Sequence, residues 1–468
     1  MDIEHKTALK EQLTGIEIDD NQTVVRRKSR DFYWYSPVLK RDLEQVKGDI
    51  LITPRSEEDV VRILAAAYAH NIPITPRGAG TGNYGQAMPL AGGIVLDMTM
   101  LNEIKSIGPG YVIAQAGALM GHIDNATRNH SGQELRMIPS TYRTASLGGF
   151  IAGGSGGVGS IRWGGLRDLG NVIRLRLVTM EENPRIIDLT GHDVAKVAHA
   201  YGTNGVIVEC EVPLTAAYDW IDLVVEFDDM DKASLLADKI GNEDGILLKE
   251  ISVMAPDLGY LYFPHYKPYL NSGKALVLIL VAPQALSSAL SFIRFYNGNC
   301  VFQSDIITAE VDKKRPSLIE HTWNHTTLVA RRAEPDLTYL QVLYPYPDHL
   351  AAVSKMKALL GDEIIEHLEF SRFEGHVVCF GLTLIHYTTE ARLDAVIRLF
   401  EENNCLVFNP HRYTLEEGGM KKSDPVQLDF KKMVDPKGLL NPGKMIAWEN
   451  PDFDFKSTKK YLFNTMVA

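Results

Sequence analysis

The sequence predicts an α+β fold with more than one domain, and three observations support this prediction. The chain has 468 residues, of which 45% are hydrophobic and 23% are charged, an ordinary composition for a globular chain of two to three domains. Glycine-rich loops beside short apolar strands dominate its first half. After Asp219, segments with the apolar period of a strand alternate along the chain with segments that have the period of a helix. This order predicts helices packed on a sheet.

The first glycine-rich loop follows a predicted strand and spans Ile74–Gln86, with the sequence ITPRGAGTGNYGQ. Its glycines stand at Gly78, Gly80, Gly82 and Gly85. Glycine permits positive φ and close approach, and consecutive N–H groups that point into one concavity bind anions. The loop therefore predicts a phosphate site, to which Arg77 either adds charge or forms only a surface ion pair.

The spacing Gly80-x-Gly82-x-x-Gly85 matches a dinucleotide fingerprint, but that motif must open a helix. Here Pro89 and the pair Gly92-Gly93 predict turns that lead into a buried strand, Ile94–Asp97. We therefore expect loop amides, not a helix N-terminus, to bind the phosphate, and nicotinamide is disfavoured. Tight β-turns without any ligand are the alternative for a single loop.

Two further pieces follow along the chain. Pro139–Asn171 interleaves many glycines with apolar residues such as Phe150 and Trp163, which suggests backbone packed closely on something flat and large. Tyr201–Leu214 joins a glycine turn to an alternating strand.

Three such pieces in this order resemble the flavoproteins of the vanillyl-alcohol oxidase type, which share the PCMH-type FAD-binding fold. PRGAGTG with Gln86 resembles their pyrophosphate loop, and Pro139-Ser140 with TASLGG and GGSGG resembles the segment along the isoalloxazine and ribityl chain. GTNGVIVE resembles the strand that holds the flavin from the other side. DPKGLLNPGKM is similar to the ending by which such chains return to the FAD domain. The resemblance covers most of residues 45–215 and 405–446.

The resemblance implies an FAD domain in two parts and a substrate (cap) domain, whose sheet is mostly antiparallel and covered by helices on one face. We place the boundary near Thr215–Tyr218, where the alternation lapses between two strands. The expected parts are an N-terminal extension packing on the FAD domain (1–44), the FAD-binding domain (45–217), the cap domain (218–404) and the C-terminal return to the FAD domain (405–468).

The resemblance also implies which residues contact FAD. These are Pro76, Arg77, Gly78, Ala79, Gly80, Thr81, Gly82, Gln86, Pro139, Ser140, Thr144, Ser146, Gly148, Gly149, Gly154, Gly156, Gly157, Gly202, Gly205 and Ile207. Some members of the family tether the flavin through a histidine or a cysteine. Here Thr81-Gly82-Asn83 occupies the place of the histidine, and no cysteine lies between residues 78 and 165, so we expect non-covalent FAD.

In the cap domain the period of the apolar residues predicts strand, helix and strand over residues 219–253, and again over 276–305. Further elements are predicted at 337–344, 349–360, 363–373, 377–386 and 390–403. The helices would cover one face of a sheet and leave the other face as a roof over the flavin.

Candidate catalytic residues come from two segments of this second half. Oxidation beside a hydroxyl needs a proton acceptor, and a carboxylate substrate would favour a bidentate arginine. In NPHRYTLEEGGMKK we expect His411 or Tyr413 as the base and Arg412 as the anion binder, with a packed connecting loop as the alternative.

In EHTWNHTTLVARR, His321 and His325 share one face if the segment is helical. They are alternatively polar groups that cap the domain seam, and no glutamate lies between them as a metalloprotease motif requires. The pair Arg331-Arg332 either clamps a carboxylate or ends a solvated helix. His376 and His386 are expected to flank one strand, about 33 Å apart, too far to share a ligand.

The sequences of the first loop and of the C-terminal segment most resemble those of the glycolate oxidase flavin subunit and D-lactate dehydrogenase group. This resemblance implies a 2-hydroxy acid substrate. That group also gathers a metal with an HxxxGNxH-type segment and an EHG motif. Here the stretches read HVVCFGLTLIH and EEGG, with Glu417 in the place of the histidine. No metal site is therefore carried over.

Three classes of function stay open. The first is an FAD-linked dehydrogenase or oxidase of CH–OH donors, acting by hydride transfer on a 2-hydroxy acid or, alternatively, on a polyol, sugar or lactone. The second is a flavin subunit that passes electrons to a partner protein or a quinone. The third is a flavin-binding protein without catalysis.

Charge and composition exclude several classes of binding partner. A net charge of −11 argues against nucleic acid, and the four cysteines match no zinc spacing. The longest apolar run, Ala275–Pro283, is too short to cross a bilayer, and residues 1–30 show no secretory pattern. We therefore expect a cytoplasmic chain with a small-molecule substrate and no transmembrane segment.

Overall fold

The α+β fold is confirmed by a computed structural model, which describes residues 1, 3–307, 315–455 and 460–463. Parts of the predicted cap domain (308–314) and of the predicted C-terminal return (456–459 and 464–468) lie outside the described residues. Within the described ranges, no helix combines the length and the apolar character needed to cross a membrane.

The first sheet has four strands in the order β1-β2-β4-β3. The strands are β1 Glu17–Asp19, β2 Ile50–Thr53, β3 Ile74–Arg77 and β4 Ile94–Asp97. β4 pairs in parallel with β2 and β3, and β1 adds an antiparallel edge. The accompanying helices are α1 Ile3–Gln12, α2 Gln22–Lys28, α3 Pro37–Leu43 and α4 Glu57–Ala69. No helix begins between β3 and β4, as the turns at Pro89 and Gly92 predicted.

The second sheet is antiparallel, and its order is β5-β6-β10-β8-β9, with β7 also paired to β10. Its strands are β5 Ile104–Gly108, β6 Tyr111–Gln115, β7 Gln133–Leu135, β8 Arg174–Val178, β9 Ile186–Thr190 and β10 Val206–Ala216. The helices are α5 Met120–Ser131, α6 Leu147–Gly153 and α7 Ser160–Trp163. The third glycine-rich piece therefore leads into the long central strand β10, and helix α6 of the second piece lies against that strand.

The second half forms an eight-stranded antiparallel sheet in the order β14-β11-β13-β12-β18-β19-β16-β21, and a small sheet β15-β20-β17. The strands are β11 Ile221–Phe227, β12 Leu248–Met254, β13 Ala275–Val281, β14 Asn299–Gln303, β15 Leu337–Tyr339, β16 Gln341–Leu343, β17 Ile364–Ile365, β18 His367–Phe373, β19 His376–Gly381, β20 Leu384–His386 and β21 Leu406–Phe408. The helices are α8 Met230–Gly241, α9 Leu258–Tyr262, α10 Leu286–Phe295, α11 Asn324–Ala333, α12 His349–Leu360 and α13 Glu390–Glu402.

Helices cover one face of the large sheet, as predicted, but the opposite face is divided. Leu223 and Val225 face the helical side and pack with residues of α8, α10, α12 and α13. On the other side, Val224 packs with α9 and with Tyr35 of the N-terminal segment. Only the part around Phe380 packs with the core of the second sheet. The face predicted to be free to roof the flavin is therefore free of α9 and the N-terminal segment only in part.

Three segments predicted as single elements, 337–344, 363–373 and 377–386, each contain two strands in the structure. Residues 337–343, 364–373 and 376–386 supply strands to both the large and the small sheet. At the breaks, the backbone N–H of Leu340 donates to Thr383 and that of Leu382 donates to His367, which moves the chain from one sheet to the other. His376 and His386 consequently lie on different strands, in different sheets, and the prediction that they flank one strand was wrong.

The C-terminal segment returns to the first sheet. Its helices are α14 Leu415–Gly418, α15 Pro425–Val434 and α16 Ile446–Glu449. The N–H of Ile74 donates to Leu439 O at 2.8 Å, and the N–H of Asn441 donates to Ile74 O at 2.8 Å. The chain end is thereby bonded to the strand that leads into the first glycine loop.

Candidate functional site

One cavity of about 210 Å³ lies where the three glycine-rich pieces and the second half of the chain meet. All the residues predicted to contact the cofactor line this cavity, except Thr144. Thr144 is exposed, and its hydroxyl donates to Thr141 O at 3.2 Å. Thr141 lines the cavity in its place. The fold therefore brings together segments that are more than 100 residues apart in the sequence.

The first loop needs glycine for reasons internal to the protein. Gly80 and Gly85 have φ of 72° and 70°, the left-handed region that favours glycine. A Cβ on Gly78 would lie 2.1 Å from Ser146 Oγ, which accepts the Ala79 N–H at 3.2 Å. The loop therefore bends tightly against the second glycine tract and exposes bare backbone to the cavity.

The second tract shows the same close approach. A Cβ on Gly148 would lie 2.6 Å from Ala116 Cβ and 3.0 Å from both its Cα and its carbonyl oxygen. A Cβ on Gly157 would lie 2.3 Å from Ile138 O. These glycines are required for backbone packing between loops, in addition to any ligand that they contact.

Arg77 is not a surface residue, because only 9% of it is exposed. Its guanidinium donates to Gly78 O at 3.1 Å and to Arg30 O at 3.2 Å. Burial lowers its pKa, although the charges of Asp97 and Asp31 oppose the shift. Arg77 thus ties the N-terminal segment to the first loop and adds positive potential beside it.

Several polar atoms in the cavity wall are buried without a partner among the described residues. They are Tyr201 Oη, His199 Nε2, Asn324 Oδ1 and Arg77 Nε. Buried polar groups are nearly always hydrogen-bonded, so such atoms indicate a ligand rich in donors and acceptors. With the bare loop amides, they fit a cofactor that has a pyrophosphate, a sugar chain and a flat heteroaromatic ring.

The N-terminal segment contributes a wall that the sequence did not predict. Asp31 and Tyr35 both line the cavity, and Phe32 N–H donates to Gly82 O at 2.7 Å. Asp31 accepts the N–H groups of Tyr33 and Ala87, at 2.9 and 3.3 Å. Burial raises the pKa of Asp31 to about 6, although these donors favour the charged form. The aromatic residues of DFYWYS, in an otherwise polar segment, could have indicated that this segment packs against the rest of the protein.

Trp323 lines the cavity from the second half of the chain and is held by two buried carboxylates. Its backbone N–H donates to Glu369, and its indole Nε1–H donates to Glu250 Oε2 at 3.1 Å. Its φ of 50° is unusual for a bulky residue. Burial raises the pKa of both carboxyls, that of Glu369 to about 7. The conformation of Trp323 is therefore fixed by its hydrogen bonds.

His325 is the one predicted catalytic residue that lines the cavity. Its Nδ1 lies 3.1 Å from Glu320 Oε2, and Arg143 lies 3.2 Å from the other oxygen of Glu320. Burial alone would raise the pKa of Glu320, but the hydrogen bond from His325 and the charge of Arg143 hold it below its ordinary value. A charged carboxylate therefore orients this imidazole.

The structure does not bring the other four candidates to the cavity wall. His321 packs against Phe263 and Tyr266 in the core, and burial lowers its pKa to about 4. Arg412 lies within ion-pair distance of Glu390 and Asp394. Tyr413 lies under Lys444, whose Nζ is 5.0 Å from the ring centroid.

His411 joins three parts of the chain. Its Nδ1 is 2.7 Å from Ser36 Oγ, and its Nε2 is 3.0 Å from Tyr339 O. Because a carbonyl only accepts, Nε2 donates and Nδ1 accepts from Ser36. Both ring nitrogens are thus used in packing, and burial lowers the pKa of His411 to about 3.

We expect His411→Asn to make the free energy of unfolding less dependent on pH in the acidic range. The folded pKa lies below the unfolded one, so His411 contributes stability above pH 6.5 that is lost as the pH falls toward 3. The free energy of unfolding of the variant should fall with acidification less steeply than that of the wild type, by up to about 1.4 kcal/mol per pH unit. Urea titrations across this range measure the slope. Equal slopes would contradict the assignment, and exposed His192→Asn is the control.

The paired arginines also lie apart from the cavity wall. Arg331 donates to Leu337 O and to Trp34 O, so it joins α11 to the N-terminal segment. Within the described residues, no group of three or more His, Cys, Asp or Glu is placed to hold a metal ion.

Comparisons with known proteins agree with this geometry. Residues 48–187 match the model of a family described as an FAD binding domain. The glycolate oxidase subunit GlcD of Bacillus subtilis (strain 168) is 32% identical over 181 residues, 36% of this chain and 37% of that protein. GlcD of Escherichia coli (strain K12) is 28% identical over 248 residues, 50% of this chain and 47% of that protein.

A D-lactate dehydrogenase of Archaeoglobus fulgidus is 33% identical over 146 residues, 31% of this chain and 32% of that protein. The matches thus span about a third to a half of these curated relatives. A solved structure titled alkyldihydroxyacetonephosphate synthase superposes with a TM-score of 0.71 at 16% identity, covering 94% of this chain and 86% of that one. At this identity, the structural likeness speaks for the fold alone.

The cavity is lined by residues of the segment 48–187, which matches an FAD binding domain. This match and the FAD-linked relatives support FAD as the cofactor.

We expect the FAD to leave the protein on denaturation, because Thr81-Gly82-Asn83 replaces the tethering histidine and no cysteine lies between residues 78 and 165. Acid precipitation followed by absorbance of the supernatant measures this release. Flavin that stays with the precipitated protein would contradict the expectation.

Proposed function

We propose that this protein is an FAD-dependent oxidoreductase that oxidises the CH–OH group of a 2-hydroxy acid. The observation that supports the proposal is the Glu320–His325 pair, which faces the FAD cavity from the second half of the chain. The relatives named glycolate oxidase subunit and D-lactate dehydrogenase favour this substrate class.

His325 is proposed as the proton acceptor. The hydrogen bond from Nδ1 to Glu320 fixes the tautomer, so Nε2 keeps its lone pair for the substrate hydroxyl. FAD, when bound, supplies the acceptor for the hydride that leaves the substrate carbon. The O–H proton then moves to His325 Nε2, and the carbon–oxygen bond becomes a carbonyl.

The proposed cofactor contacts follow the cavity wall. The amides of Gly78, Ala79, Gly80, Thr81 and Gly82 would donate to the pyrophosphate, with Arg77 as the nearby charge. The second glycine tract and β10 would flank the flavin ring. Trp323 would exclude water from the reacting side, since it is only 8% exposed and its hydrogen bonds fix it in place. We also propose the domain limits 45–217 and 218–404, which meet in the connection between β10 and β11.

Anaerobic mixing of the FAD-loaded protein with D- and L-2-hydroxy acids, polyols, sugars and lactones tests the proposal. Bleaching of the flavin by a hydroxy acid is the expected result. Bleaching by polyols, sugars or lactones alone would keep an oxidoreductase but contradict the substrate class. A bound flavin that no donor reduces would contradict the proposal and favour a binding role.

A further inference from the structure

Residues 199–201 form a strained turn in the wall of the FAD cavity. His199 and Tyr201 have φ of 50° and 53°, in the left-handed region that non-glycine residues rarely adopt, and both residues line the cavity. The turn is fixed to helix α6, because His199 N–H donates to Ile151 O and Tyr201 N–H donates to Ala152 O, each at 2.9 Å. Strained backbone of this kind is concentrated at functional sites, where the surrounding structure holds it in place.

His199 presents a hydrogen-bond acceptor to the cavity. Its Nδ1 lies 2.9 Å from Gly154 O, and because a carbonyl only accepts, Nδ1 carries the proton. Nε2 therefore keeps a lone pair, and this atom is buried with no partner in the described part of the chain. Burial lowers the pKa of His199 to about 4, so the ring is neutral at neutral pH. Phe463 stacks on the ring with the two centroids 4.8 Å apart, which fixes the plane of the imidazole.

Tyr201 adds a hydroxyl to the same part of the wall. Its ring centroid lies 5.1 Å from that of His199, and only 3% of the residue is exposed. Its Oη is also buried without a partner among the described residues. Burial raises the pKa of Tyr201, so the hydroxyl keeps its proton and can donate it to a ligand. The turn therefore offers one acceptor and one donor, and it fits a ligand that carries a donor next to an acceptor.

The contacts of the second glycine tract indicate which part of FAD lies at this turn. Gly154 accepts the bond from His199, and two residues further on a Cβ on Gly156 would lie 3.5 Å from the ring of Trp323. Trp323 and the proposed proton acceptor His325 line the same cavity. Hydride transfer requires the flavin ring to lie beside the proton acceptor and the donor carbon. The turn is thus tied to the part of the cavity proposed for the flavin ring.

We propose that His199 and Tyr201 bind the pyrimidine edge of the isoalloxazine ring, with His199 Nε2 accepting the flavin N3–H and Tyr201 Oη donating to a neighbouring ring carbonyl. On this edge the N3–H group lies between two carbonyls, so a donor stands directly beside acceptors. The inference rests on the placement of the flavin ring in the proposed function, but it does not depend on the substrate. The adenine ring also carries a donor beside an acceptor, its amino group next to a ring nitrogen, and the experiment distinguishes the two rings.

Two FAD analogues test the contact by binding alone. Methylation of the flavin N3 removes the ring N–H, and dimethylation of the adenine amino group removes the N–H bonds of that ring. The full-length protein is freed of flavin and titrated with FAD and with each analogue, and the change in flavin fluorescence gives the dissociation constants. We expect the wild type to bind the N3-methyl analogue about tenfold or more weakly than FAD, because His199 Nε2 is left without a donor. The adenine analogue should bind like FAD.

His199→Asn should lose most of this preference for FAD over the N3-methyl analogue. The asparagine amide can keep the bond to Gly154 O and tolerates positive φ, so the change removes Nε2 and disturbs the turn little. Tyr201→Phe removes only the hydroxyl and should weaken FAD binding by about three- to tenfold while it keeps the preference. The exposed change His192→Asn is the matched control and should bind like the wild type.

Thermal unfolding of each flavin-free variant separates a binding defect from a folding defect. If His199→Asn does not fold, Tyr201→Phe decides, and FAD binding equal to that of the wild type would then overturn the proposal. An equal preference in the wild type and in His199→Asn, or no preference in the wild type, would also overturn it. Weaker binding of the adenine analogue that depends on His199 would assign the contact to adenine instead.

The same measurements separate this contact from the proposed function. An N3 preference that depends on His199, in a protein whose flavin no donor bleaches, would support the contact and contradict the proposed function. Bleaching by a 2-hydroxy acid without such a preference would support the proposed function and overturn the contact.

Discussion

Gly148→Ala is expected to destabilise the protein and to reduce its FAD content sharply. The new Cβ would lie 2.6 Å from Ala116 Cβ and 3.0 Å from Ala116 Cα and O, and backbone cannot move aside as the end of a flexible side chain can. Gly148 N–H also donates to Ala116 O at 2.8 Å, so relief of the clash would break this bond. Overpacking of this kind costs about 1–3 kcal/mol. Thermal unfolding and the ratio of flavin to protein measure both effects.

Gly153→Ala is the matched control at the other end of the same helix. Its Cβ would lie no closer than 3.6 Å to Gln86, which is ordinary contact. Alanine also favours helix over glycine by up to about 1 kcal/mol, so this variant should keep its fold. Because Gly153 lines the FAD cavity, the two variants are compared by their unfolding temperatures and not by their FAD content. Equal losses of unfolding temperature would contradict the specific contact between Gly148 and Ala116.

His325→Gln is expected to slow flavin reduction by about 10²–10⁴-fold, because general-base catalysis contributes that much. Glutamine keeps a similar length and polarity but cannot accept the proton. FAD content should not change, since His325 is assigned to the proton and not to the cofactor. Stopped-flow measurement of flavin bleaching under anaerobic conditions gives the rate constant.

Glu320→Gln is the companion variant for this site. It keeps a hydrogen-bond acceptor for His325 Nδ1 but removes the charge, so its rate should fall less than that of His325→Gln. His411 contacts Ser36 and Tyr339 and does not line the cavity, so His411→Asn should reduce the flavin at the wild-type rate. A wild-type rate for His325→Gln would contradict its assignment as the base. A large loss of rate for His411→Asn would instead favour a base in the segment after β21.

The glycine loops were predictable because their function is local. Gly78, Gly80 and Gly82 lie in one short loop, and the resemblance of that loop to a pyrophosphate site needed no knowledge of distant residues. The same holds for α8, α12 and α13, whose apolar periods predicted their limits closely.

The roof of the cavity could not be predicted in the same way. Trp323 reaches it because its N–H groups bind Glu369 and Glu250, residues 46 and 73 positions away. The segment with Asp31 and Tyr35 is held at the cavity by two hydrogen bonds, from Phe32 N–H to Gly82 O and from Ala87 N–H to Asp31. His411 had the right chemistry for a base, but its two bonds to Ser36 and Tyr339 place it in the core. Such long-range contacts leave no pattern in a single sequence.

Incubation of the purified protein with FAD, followed by gel filtration and a visible absorption spectrum, measures FAD binding itself. We expect a flavin spectrum with about one FAD per chain, because one cavity brings the three glycine-rich pieces together. A folded protein that emerges without flavin peaks and takes up no added FAD would contradict it.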